Sequence, residues 1–140
     1  EAGKKIRFAV HPVAGRMPGH MHVLLSEANA PWDKLHALEV NPDFPDTDLA
    51  IVIGASDVVN PAASSTEGTP ISGMPILHAH EARRVIVINL DERPGYSGVP
   101  NQLYELDKAI LLWGDAKQTL QRLLAALTST PEPAAATGAN

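Results

Sequence analysis

Apolar and polar positions change rhythm several times along the chain, and each rhythm predicts an element. "KKIRFAV" alternates, with Ile6, Phe8 and Val10 on one side, which predicts a strand. "HPVAGRMPG" then breaks the pattern with two prolines and two glycines, and Pro18 suits the first helical position, where a missing N–H costs nothing. Met21, Leu24, Leu25 and Ala28 recur at i, i+3, i+4 and i+7, the stripe of a one-sided helix. "KLHALEV" is a weaker second strand, and "NPDFPDTD" a polar loop broken by proline.

From Leu49 to Ile53, within "DLAIVIGASD", the chain is apolar without alternation. That is the composition of a strand buried on both faces of a parallel sheet. Val85 to Ile88 in "RRVIVINL" and Ala109 to Trp113 in "AILLW" repeat it. Gly114 ends the last of these, and Asp115 is placed to cap a helix with Leu120, Leu123, Leu124 and Leu127 on one face. "GTPISGMPILHAHEARR" predicts a Gly/Pro turn, a short strand near Ile76 and one helical turn. Residues 128–140 lack large apolar side chains and read as a disordered Pro/Ala-rich tail. Strands alternating with helices predict one α/β domain over residues 1–127, a doubly wound parallel sheet with helices on both faces.

Composition narrows the functions. The formal net charge of −5 argues against nucleic acid, whose binding proteins carry a positive face. The absence of cysteine excludes disulfides, thiolate metal sites and a thiol nucleophile. Apolar runs reach about five residues, far short of the ~20 that cross a bilayer. The sequence opens at Glu1 without an initiator Met and reads as a piece of something longer.

In open parallel sheets, ligands bind beyond the carboxyl ends of the strands. "HPVAGRMPG", "GASDVVNP", "NLDERPGYSG" and "WGDAK" fall at such ends, each rich in residues that let backbone approach a ligand. The first and last open into helices, whose free N–H groups attract phosphate, and Arg16 adds a positive charge. The same glycines, prolines and aspartates also serve as ordinary turn and cap residues. Neither G-x-G-x-x-G nor G-x-x-x-x-G-K-[ST] is present, and no G-x-S-x-G elbow offers a serine nucleophile. No metal is expected: His20 and His22 point apart on a helix, and His78 with His80 lacks a third ligand. Asp43, Asp46 and Asp48 read as solvated loop residues, and Asp57 as either a cap for the segment from Val58 or a group facing a ligand.

"GKKIRFAVHPVAGRMPGHMHVLLSEA", "FPDTDLAIVIGASDVVNPAA", "GMPIL", "GYSGVPNQLY" and "LLWGDAK" together resemble one family. It is the NADP(H)-binding domain, domain III, of proton-translocating nicotinamide nucleotide transhydrogenase, and the resemblance covers roughly residues 3 to 127. It implies a Rossmann-like fold and an NADP(H) site. It further implies hydride transfer between NAD(H) and NADP(H), coupled to proton translocation as part of a larger complex. The partners it implies are the NAD(H)-binding domain I and the membrane domain II. The place it implies is the cytoplasmic or matrix face of the inner membrane, for a domain with no transmembrane segment of its own.

The resemblance implies that Val13, Ala14, Gly15, Arg16, Met17 and Pro18 wrap the nucleotide, with Arg16 near its phosphates. It adds Gly54, Ala55, Ser56, Asp57 and Val58, then Gly73 and Met74, and finally Asp115 with Ala116. A lid follows from Asn89, Leu90, Asp91 and Glu92 through Arg93, Pro94, Gly95 and Tyr96. Asp57 is implied to change protonation with nucleotide state. Two departures stand out. The family's first strand, glycine-rich turn and first helix are expected before Glu1, and without them two strand edges stay unpaired and invite self-association. The lid commonly begins Lys-Arg-Ser, which grips the 2′-phosphate, whereas here it begins Asn89-Leu90-Asp91; Arg93 is the remaining candidate and Asp91 would repel phosphate. Two other readings of the chain stay open, a docking module of the same family without nucleotide and an unrelated flavodoxin-like binding domain.

Overall fold

The computed structural model describes residues 4–12 and 20–128. Five strands and three α-helices lie within them. They are β1 (Phe8–Ala9), α1 (His20–Glu27), β2 (Leu35–His36), β3 (Leu49–Ile53), α2 (Ala62–Ser65), β4 (Arg84–Asn89), β5 (Ala109–Trp113) and α3 (Ala116–Thr128), with 3-10 turns between β2 and β3 and between β4 and β5. All pairings are parallel: β1 with β2, and β3 with β4 with β5. The class is α/β and Rossmann-like. The tail from residue 129 onward lies outside the described residues, and α3 runs one residue past the expected boundary, through Thr128.

The strands form where Val, Ile and Leu cluster, because branched side chains pack well on a pleated surface. Register places Ala50 beside Val85 and Val52 beside Val87, with Ala109 and Leu111 completing the rows on β5. These side chains face Val40, Val59, Leu77 and Leu103 in the main core. Val85, Val87 and Leu103 are fully buried, and each such side chain contributes about 1.5–3 kcal/mol. A smaller core joins Ala62, Ala63, Ile71 and Ile76.

The other face of the larger sheet corrects the expectation for β3. Leu49, Ile51 and Ile53 are 44%, 43% and 48% exposed, so this strand is buried on one face only. Its register neighbour Ile88 is fully buried and α3 packs against β4. Among the described residues no element covers β3 in the same way. The composition of a two-sided strand is present; among the described residues the second cover is not.

Three smaller expectations also change. The stripe on α1 is not a buried face, since Leu24 and Ala28 are exposed. No strand forms at Ile76, because Pro75 lacks a backbone donor and Leu77 N–H is bonded instead to the Val58 carbonyl at 2.8 Å. The polar segment before β3 is wound into 3-10 turns from Leu38 to Asp46, with Asp43 pairing with Arg7 at 2.8 Å. Among the described residues, no helix is long and apolar enough to cross a membrane. Burial pushes the His80 imidazole below its usual range, against a weaker opposing pull from Glu81.

Candidate functional site

Parallel register brings the carboxyl ends of β3, β4 and β5 out along one edge, at Ile53, Asn89 and Trp113. The ladders run one residue further on both sides, through Gly54 N–H to the Ile88 carbonyl at 3.0 Å and Gly114 N–H to the Asn89 carbonyl at 2.9 Å. Gly54 then turns with φ of +65°, a region that side chains disfavour. Beyond these ends lies a cleft of about 460 Å³. Its walls are Gly54 and Ser56 from the β3 turn, Asn89 to Asp91 with Arg93 and Pro94 beyond β4, and Gly114 with Ala116 at the start of α3.

Several expected residues are therefore brought together, and others serve the cleft from behind. Asp115 caps α3, its carboxylate accepting the Gln118 N–H at 3.0 Å, as the sequence predicts. Asn89 donates through Nδ2 to the Ala55 carbonyl and to the Tyr104 hydroxyl, both at 2.9 Å, so it ties two loops together. Gly73 and Met74 line a separate depression of about 540 Å³ beside Asn41, Ser72 and His78. Glu92 and Tyr96 are exposed and line neither. Val13, Ala14, Gly15, Arg16, Met17 and Pro18 lie outside the described residues. His11 is buried and its Nε2 lies 2.6 Å from the Pro75 carbonyl, next in sequence to Met74.

Asp57 is not a cap. Its Oδ2 accepts the Ser97 N–H at 3.0 Å and its Oδ1 accepts the Ser97 hydroxyl at 2.6 Å. Ser97 Oγ in turn accepts the Val99 N–H at 3.1 Å. Gly95 leaves room for this arrangement: a Cβ there would lie 2.9 Å from Asp57 Oδ2 and 3.0 Å from its Cγ, so the carboxylate would have to shift. One carboxylate thus fastens the segment after β4 to the turn after β3.

Charge is concentrated at the cleft rim. Asp91 Oδ1 accepts the Arg93 N–H at 2.9 Å, while Oδ2 lies 2.9 Å from Nε and 2.7 Å from Nη2. Hydrogen bonding to Arg93 holds the Asp91 carboxyl below its ordinary range, and the same contact holds the guanidinium above its own. Ser56 Oγ is buried at the cleft and has no hydrogen-bond partner within the described residues. Among those residues no group of acidic or histidine side chains is arranged to hold a metal ion.

Sequence reasoning missed the scaffold behind the site. Asn60 and Asn101 are buried and bond to backbone across long separations, Asn101 reaching the Ser56 carbonyl at 3.0 Å. Tyr104 stacks edge-on against Trp113, with ring centroids 5.2 Å apart. The available signal was asparagine adjoining proline in "VVNP" and "VPNQ", where its side chain satisfies backbone groups that the turns leave unpaired.

Comparison with known proteins adds to this geometry. The chain matches the family model for the NAD(P) transhydrogenase beta subunit over residues 1–126. NAD(P) transhydrogenase subunit beta of Rhodospirillum rubrum is 47% identical over 126 residues, covering 89% of this chain and 27% of the relative. The corresponding subunit from a defined strain of that organism gives the same values. The chain thus spans about a quarter of the length of the curated relatives it matches.

Proposed function

Since the chain belongs to the NAD(P) transhydrogenase beta-subunit family, we propose that it is the NADP(H)-binding portion of such an enzyme. Hydride passes directly between NAD(H) and NADP(H), and the transfer is coupled to proton translocation. In this reading the chain docks against an NAD(H)-binding domain I and a membrane domain II, at the cytoplasmic or matrix face of the inner membrane. The chain binds and orients the nucleotide and supplies no nucleophile of its own.

The observation that carries the reading is the cleft at the carboxyl ends of three parallel strands, with the first turn of α3 opening into it. Such a position suits a dinucleotide, and helix N-terminal amides suit its pyrophosphate. Gly54, Ser56 and Ala116 give backbone close approach, while Asn89 and Asp57 hold the loops in place. We assign the nucleotide contacts to Gly54 through Val58, Asn89 through Tyr96, Asp115 and Ala116, and further to Gly73, Met74 and Val13 through Pro18. Asp57 is assigned the coupling of nucleotide state to protonation.

Titration of the chain with NADPH, followed by reduced-nicotinamide fluorescence, is expected to saturate, with competition by NADP. Ser56→Ala should weaken that binding and leave the thermal transition in place, because its hydroxyl bonds to nothing else in the described chain. Fluorescence that rises without saturation would favour the docking module that holds no nucleotide.

A further inference from the structure

The cleft rim carries a carboxylate and a guanidinium already locked to each other, and this bears on which ribose the site accepts. Arg93 binds phosphate best through its planar fork of two parallel N–H groups. One such edge, Nε with Nη2, is turned onto Asp91 Oδ2. The backbone N–H of Arg93 occupies Oδ1 at 2.9 Å, so the pair is a closed turn of three residues rather than a chance surface contact. A carboxylate accepts roughly four hydrogen bonds, which leaves Asp91 capacity for a further donor. Asp91 is half-buried at the cleft, two residues beyond the end of β4, while the Arg93 side chain is largely in solvent.

A ribose 2′-hydroxyl is a donor and suits a carboxylate; a 2′-phosphate brings negative charge against it and needs a free cation. We propose that Asp91 sets the ribose preference of this cleft. Its carboxylate accepts the 2′-hydroxyl of an adenosine ribose and opposes a 2′-phosphate by its charge, so that NAD(H) is held about as well as NADP(H). This rests on the reading of the cleft as a dinucleotide site. The specificity determinant is the acid, which also engages one edge of the Arg93 guanidinium.

The test is separate titration of NADH and NADPH into the wild-type chain, Asp91→Asn and Asp91→Ser, each followed by nicotinamide fluorescence, with circular dichroism to confirm folding. Wild type should bind the two nucleotides within ~10-fold of one another. Both variants should shift the ratio toward NADPH by ~10-fold or more, because the charge is removed and the guanidinium freed. A wild-type preference for NADPH of ~100-fold, or a ratio unchanged in both variants, overturns this inference alone. Saturable binding of neither nucleotide by the wild type overturns the dinucleotide reading of the cleft and this inference with it.

Discussion

Replacing Asn60 with alanine should lower the stability of the chain by about 2–5 kcal/mol, by leaving several backbone groups unpaired. Asn60 is fully buried. Its Oδ1 accepts the Ala62 N–H at 3.0 Å and the Gln102 N–H at 3.2 Å, and its Nδ2 donates to the Pro100 carbonyl at 3.1 Å. Alanine removes every one of these contacts, in a place where water does not replace them freely. Each orphaned buried group costs about 1–3 kcal/mol, against a total stability of about 5–15 kcal/mol for an ordinary domain. Urea unfolding is the measurement: the midpoint should fall with an unchanged slope. A loss below about 1 kcal/mol would mean that the segments at residues 60 and 100 hold together without this side chain.

Asp57→Asn is expected to act on nucleotide release more than on folding. The amide is nearly the shape of the carboxylate, keeps an oxygen for the Ser97 N–H, and can donate to the Ser97 hydroxyl. What it lacks is the charge. Hydrogen bonds to an ionised acceptor are roughly twice as strong as neutral ones, so the segment carrying Gly95 to Val99 is held more weakly. Under the proposed coupling role, NADPH release from the wild type changes with pH, whereas the variant releases faster, by ~3–10-fold at neutral pH, and independently of pH. Stopped-flow displacement of NADPH across a pH series measures both. Coincident pH profiles, with a difference only in thermal stability, would reduce Asp57 to a structural clasp.

The parts of this molecule that could be read from its sequence are those fixed by local chemistry. β3, β4 and β5 were legible because runs of Val, Ile and Leu have few other comfortable conformations. Asp115 was legible because a cap needs only a short polar side chain and a helix start nearby. The strand ends then located the cleft. Exposure of Leu49, Ile51 and Ile53 could not be read, because composition reports what a strand is able to bury and not which element covers it. Asp57 had two local readings, and its choice of Ser97 depends on how the segment after β4 folds back. Asn60, Asn101 and Tyr104 escaped notice for the same reason, since their partners lie far away in the chain.

The parallel register also governs how the molecule comes together in time. Leu49 pairs with Arg84 and Val85 with Ala109, so no two neighbouring strands of the larger sheet can meet through a tight hairpin. Each pairing first closes a long loop and loses that chain entropy before any ladder bond repays it. A transition state that holds β4 between two distant segments is the expectation, with the Val85 and Val87 rows joining them in the folded core. Refolding should be a process of about milliseconds to seconds. A microsecond phase carrying the whole amplitude would show that the helices organise first and the sheet merely follows.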